Sequence, residues 1–174
     1  KGREPISEEK LFVLDKNKKN LQINTLPGEK DAPVLSIFRG FSSPVLWESD
    51  LSIDDYLFLF LNDNDYFSRW DSGQILMREI IKNNINKHVN YSLEYSFINA
   101  IKETIKSIEI NDSFLLSTLL TIPGLAELEP LFEKVDPINI YKESLNFQVL
   151  IGNKIHQELR VLSKNILLNI NQEW

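Results

Sequence analysis

Near Ser49 the hydrophobic period of the chain changes, and that change constrains the fold more than any other feature. Upstream, apolar residues come in short runs and alternations that suit extended chain. "LFVLD" at 11 to 15 is a compact run, and in "LQINT" Leu21, Ile23 and Thr25 share one face while Gln22 and Asn24 take the other. The polar link "KNKKN" predicts a hairpin between them. "LPGEKDAP" at 26 to 33 reads as a loop, and "PVLSIFRGFSSPV" at 33 to 45 as a third extended segment, because Pro33 and Pro44 fix φ and push Ala32 and Ser43 toward extended conformations. A sandwich takes about seven strands. Residues 1–48 therefore read as a small, incomplete β-sandwich element of two to three strands.

Downstream the apolar spacing is helical. Ser52 is a candidate N-cap, with Asp54 and Asp55 in the first turn before "YLFLFL". "NDND" at 62 to 65 breaks that helix and caps a second, predicted over Tyr66 to Lys87, with Phe67, Trp70, Met77, Ile81 and Ile85 near one face. Gly73 within it predicts close approach of a neighbouring backbone. A third helix starts at Ser92 and carries Phe97, Ile101, Ile105 and Ile108. Asp112 is expected to cap "SFLLSTLLTI", which Pro123-Gly124 ends. "LAELEPLFEKV" follows as a short helix kinked at Pro130. Asp136-Pro137 then supplies an N-cap and a first-turn proline for a long last helix, about Ile138 to Leu168, with the stripe Ile155, Leu159, Leu162, Ile166 and Ile170. The fold class expected is mainly α: a helix-hairpin stack (an α-α superhelix, bundle-like) over 49–174, preceded by the small β element.

Composition excludes several functions. The net charge of −6 repels a phosphate backbone, so no nucleic-acid partner is expected, and "KNKK" reads as a solvated turn. No apolar stretch is long enough for a membrane span. "KGREPISEEK" lacks the apolar core of a signal peptide, and the absence of cysteine suits a reducing compartment, so a cytoplasmic location is expected. The sequons at Asn90 and Asn111 are read as chance matches at helix caps.

Little in the residues points to catalysis. His88 and His156 are far apart in sequence, and a zinc site without cysteine would need both, plus carboxylates. His88 reads as a dipole-stabilised surface residue, and His156 as flanking an apolar stripe. Ser42 and Ser43 lack an indicated base and read as turn hydroxyls. Arg69, Asp71 and Gln74 lie on successive helical turns and are expected to form a polar network that orients helices. Asp54, Asp55, Glu127 and Glu129 read as caps and solvated faces. No catalytic, cofactor-binding or metal-binding residue is assigned.

Three segments, "PVLSIFRGFSSPV", "NDNDYFSRWDSGQ" at 62 to 74 and "LLTIPGLAELEPLFEKVDPINIY" at 119 to 141, together resemble the bacterial branch of the aminopeptidase N family, zinc metallo-aminopeptidases of the H-E-x-x-H class. The resemblance implies a non-catalytic fragment: residues 1–48 as the closing strands of a β-sandwich domain, and residues 49–174 as the N-proximal part of a helical domain that closes over the active site. It implies zinc in the parent enzyme and none in this segment, since H-E-x-x-H and the G-x-M-E-N strand have no counterpart here. The partners implied are the remaining domains of the parent chain and peptide substrates. Self-association of the fragment is expected from exposed apolar surface. A free-standing helical-repeat interaction module is the alternative.

Overall fold

Ser52 opens the helical part as its sequence context predicts. Its hydroxyl accepts the Asp55 N–H at 3.2 Å, while its own N–H donates to Asp55 Oδ2 at 2.8 Å, a reciprocal capping box for α1 (Ile53–Asn62). The computed structural model describes residues 11–20, 33–43, 45, 47–108 and 112–170, and the chain divides into two units, Lys1–Leu35 and Ser36–Trp174.

In the second unit, α2 (Tyr66–Ile85) is capped by Asp65, whose carboxylate accepts the Ser68 N–H at 2.8 Å. It stops short of the expected Lys87, which adopts a left-handed φ of 60° and turns the chain. Helix α3 (Tyr91–Ser107) is capped by Asn90 rather than Ser92, because Asn90 Oδ1 accepts the Leu93 N–H at 3.1 Å. Helix α4 (Ser113–Leu119) is shorter than expected. Asp112 stands at its N-cap without a side-chain cap bond, and Pro123-Gly124 belong to the following linker. There Gly124 donates its N–H to Glu127 at 2.7 Å and opens α5 (Leu125–Leu128). Pro130 converts the next turn, Glu129–Leu131, to 3-10 geometry. Asp136 then accepts the Asn139 N–H at 3.1 Å and starts α6 (Pro137–Ile170), with proline at the first helical position.

The core is shared by these helices. Phe60 from α1, Leu76, Met77, Ile80 and Ile81 from α2, Phe97 and Ile101 from α3, and Ile140 and Phe147 from α6 are essentially solvent-free. Each contributes on the order of 1.5–3 kcal/mol by leaving water. Helix α1 packs along α2, and α6 packs on both α2 and α3, which makes the unit a mainly helical stack. In the α6 stripe Ile155 is buried, while Leu159 and Leu162 are partly buried against the core. On α6 the residues Ile138, Tyr141, Leu145 and Val149 form a second apolar row, exposed to solvent. Among the described residues, no helix is long and apolar enough to cross a membrane.

One expectation needs correction. Gly73 makes room for a ring rather than a backbone: a Cβ there would lie 3.1 Å from Cδ2 and Cε2 of Phe60, which in turn stacks on Phe97. The described residues upstream of α1 contain no strand. Residues 11–15 and 33–37 are irregular, and the predicted second hairpin limb at 21 to 25 lies outside the described residues. Within the first unit Lys19 folds back onto the Val13 carbonyl at 2.6 Å and Asp15 at 3.0 Å, with its ammonium 5.2 Å from the centre of the Phe12 ring.

Candidate functional site

The polar residues of "NDND" do more than end one helix and cap the next. Between α1 and α2 they form a receptor for Arg39, which arrives from the segment preceding α1. Arg39 Nη1 donates to Asp63 Oδ1 at 2.5 Å and to Ser36 Oγ at 3.0 Å, and Nη2 donates to Asn64 Oδ1. The Gly40 N–H donates to Asp65 Oδ1 at 2.9 Å. A hydroxyl relay continues inward: Ser36 donates to Ser68 at 3.2 Å, and Ser68 donates to Asp65 Oδ2 at 2.9 Å. One guanidinium thus bridges a carboxylate, an amide and a hydroxyl, a use that lysine could not reproduce with a single point charge.

Local backbone geometry makes that reach possible. Arg39–Phe41 is a single 3-10 turn, and Phe38, Gly40 and Phe41 have φ values of 55°, 61° and 55°. Left-handed conformations are costly for phenylalanine, and ring packing offsets them. Phe38 stacks on Trp47 with centroids 5.9 Å apart, Phe41 on Phe67 at 5.1 Å, and Phe67 on Trp70 at 5.7 Å. Such pairs contribute about 0.5–1.5 kcal/mol each beyond area burial. Within the run read from the sequence as extended, the arginine thus sits in a left-handed turn.

Arg69, Asp71 and Gln74 do not bond to one another. Arg69 Nε donates to the Phe60 carbonyl at 2.9 Å and its Nη2 reaches Thr104 Oγ1 at 3.4 Å, tying α2 to α1 and α3. Burial holds this guanidinium below its usual value, against the opposing pull of Asp63 and Tyr66. Gln74 Nε2 donates to the Thr121 carbonyl at 2.8 Å and ties α2 to the chain after α4. Asp71 is half-buried, and desolvation raises its carboxyl above the ordinary value, partly countered by Arg78. Arg69 and Gln74 thus orient helices through three separate ties in place of one network, and Asp71 adds none among the described residues.

His88 and His156 are both exposed, the first beyond the end of α2 and the second on α6. His156 Nδ1 lies 2.9 Å from the Asn153 carbonyl of its own helix. Among the described residues, no three His, Asp or Glu side chains converge on a point. Ser42 is exposed, and its N–H closes the 3-10 turn onto Arg39 and Phe38. Asp54 lies exposed in the first turn of α1, while Glu129 starts the 3-10 turn after α5. The residues that sequence reasoning missed as a group are Asp63, Asn64 and Asp65, because their capping duties already account for a polar run at that position. This arrangement fixes the geometry of the turn between α1 and α2.

A family model described as "Domain of unknown function (DUF3458_C) ARM repeats" matches residues 53–171. Three curated proteins called aminopeptidase N are similar to the chain. That of Caulobacter vibrioides is 26% identical over 164 residues, covering 94% of this chain and 18% of the relative. That of Escherichia coli is 33% identical over 111 residues, covering 62% and 13%. That of Haemophilus influenzae is 25% identical over 151 residues, covering 85% and 17%. The chain spans less than a fifth of the length of these relatives.

Proposed function

The chain belongs to the DUF3458_C family of ARM repeats, and from that premise we propose that it is a non-catalytic segment of a zinc aminopeptidase that removes N-terminal residues from peptides. The observation that carries the proposal is the alignment with an aminopeptidase N along 94% of the chain. The composition of the segment agrees with a scaffold role. Stacked helices bury stripes on their neighbours and leave surfaces free to wall a cavity, and the exposed row Ile138, Tyr141, Leu145 and Val149 is such a surface. In this proposal residues 49–174 are the N-proximal part of a helical domain closing over the active site, and residues 1–48 are the end of a β-sandwich domain. The remaining domains of the parent protein and its peptide substrates are the partners, in a cytoplasmic setting.

The described residues do not fit a zinc centre, since the two histidines are exposed on separate elements and no carboxylate group joins them. The ion therefore belongs, in this proposal, to other parts of the longer protein. What this chain contributes is position. Arg39 clamps the segment that enters the helices onto the α1–α2 turn, so a displacement of that segment is passed to the stack through short charge-assisted bonds.

The test uses the complete gene product and the 174-residue chain in parallel. The complete product is expected to hydrolyse alanyl and leucyl p-nitroanilides, to lose activity to a chelator and to recover it with zinc. The 174-residue chain is expected to show no turnover. A complete product inactive on all such substrates, or activity that stays with the 174-residue chain through repurification, would overturn the proposal.

A further inference from the structure

The segment that carries Arg39 is fastened to the helices without being buried in them. From Ser36 to Ser43 every residue is exposed or partly exposed, whereas Leu76, Ile80, Phe97 and Ile101 in the helical core are essentially solvent-free. Two features of its seat are costly. Phe38 and Phe41 both hold φ at 55°, with Gly40 between them at 61°, and this left-handed backbone strains residues that carry a Cβ. The Asp63 side chain is only 2% exposed, and its Oδ2 is buried without a hydrogen bond, so that oxygen keeps its desolvation cost.

A small set of surface ties opposes these costs. Arg39 bonds to Asp63, Asn64 and Ser36, the Gly40 N–H donates to Asp65, and the Ser36 hydroxyl donates to Ser68. Phe38 leans on Trp47 and Phe41 on Phe67. Lifting the segment breaks these ties together, returns Phe38 and Phe41 to ordinary φ and gives Asp63 to water. The helices keep their own fastenings meanwhile, since Asp65 still accepts the Ser68 N–H and the core is untouched.

We propose that Ser36–Ser43 is a releasable strap that opens as one unit while the helices stay folded. Seated, it passes displacement of the incoming chain to the α1–α2 turn. Released, it uncouples the two and bares the Phe67 ring and the Asp63 carboxylate. Arg39 is the catch, because its planar fork gathers a carboxylate, an amide and a hydroxyl at once. The strap works in this way whatever reaction the longer protein carries out.

Amide hydrogen exchange of the 174-residue chain, followed by NMR in sub-denaturing urea, tests this. The strap is read at the N–H groups of Gly40 and Ser42, which donate to Asp65 and to the Phe38 and Arg39 carbonyls, and the helices are read at Leu76 and Ile80. Gly40 and Ser42 are expected to share one protection factor, at least about a hundredfold below that of Leu76 and Ile80. That factor should hold steady as urea is added, because opening the strap exposes little surface. Ile101→Val is expected to lower protection at Leu76 and Ile80 about fivefold and leave Gly40 and Ser42 unchanged. Arg39→Lys is expected to lower protection at Gly40 and Ser42 about tenfold. Gly40 and Ser42 without protection, different factors at the two, or equal falls at all four amides in Ile101→Val would overturn the proposal.

Discussion

Arg39 and Asp63 meet with Nη1 and Oδ1 2.5 Å apart, although 24 residues separate them in sequence. Asp63 is nearly solvent-free and Arg39 about one-fifth exposed, so the pair joins a buried anion to a cation at the surface. Removing the cation leaves the anion with no route to water, which is more costly than the pair itself is stabilising. Arg39→Ala is expected to lower unfolding free energy by about 2–3 kcal/mol. Arg39→Ala combined with Asp63→Ala should recover part of that loss. Urea unfolding of the two single variants and the double variant measures both effects, and additive losses would refute the coupling.

The capping box of α1 links stability to pH. The Ser52 hydroxyl and N–H hold the Asp55 carboxyl below its ordinary value. A group whose folded value is depressed contributes stability above its unfolded value, near 3.8, and that contribution is lost as pH falls through the lower folded value. Ser52→Ala should cost about 1 kcal/mol near neutral pH, with the deficit shrinking as the solution is made acid enough to protonate Asp55. Unfolding curves collected from neutral to strongly acid solution would show the closing gap.

Asp71 has the opposite sign. Desolvation raises its folded value above the unfolded one, so its ionised form weakens the fold above that raised value, and the penalty fades as pH falls through it toward 3.8. Asp71→Asn is therefore expected to stabilise the protein near pH 7, by less than about 1 kcal/mol given that the residue is half in solvent. The gain should disappear in acid; a gain independent of pH would point to another cause.

Gly40 and Gly73 should both resist alanine, for different reasons. At Gly73 the added methyl meets the Phe60 ring at 3.1 Å, and that ring is fully buried against Phe97, so overpacking outweighs the gain in helix propensity. At Gly40 space is open, but φ is 61°. Each variant is expected to lose about 1 kcal/mol. Phe60→Leu in the Gly73→Ala background should relieve the first loss and leave the second untouched, as thermal melts would show.

The exposed row Ile138, Tyr141, Leu145 and Val149 is expected to drive self-association of the 174-residue chain. Light scattering over a concentration series should show growth in mass, and Tyr141→Lys with Val149→Glu should abolish it. A monomer at every concentration in the unmodified chain would remove this expectation.

Helices with local signals were legible in the sequence. Ser52, Asp65 and Asp136 each precede a run whose period is unambiguous, and the order Asp-Pro fixes the start of α6 within one residue. The short α4 was overextended because "SFLLSTLLTI" stays apolar past the point where its helix stops. The Arg39 turn was misread for a stronger reason. Phenylalanine at positive φ contradicts local preference, and the rings that compensate, Trp47 and Phe67, come from elsewhere in the chain. The polar receptor at Asp63 and Asn64 was hidden likewise, because a pairing 24 residues apart leaves no periodic trace.

Helix α6 runs for 34 residues, a rod of about 51 Å at 1.5 Å per residue. Its buried contacts, Ile140, Phe147, Ile151 and Ile155, all fall in the first nineteen of those positions, and the partly covered Leu159 and Leu162 soon follow. Beyond them the rod works as a lever arm. A pivot of roughly 5° about Phe147 would swing the far tip, about 35 Å away, by about 3 Å, so sub-ångström repacking around Phe147 is amplified into travel on the scale of a side chain.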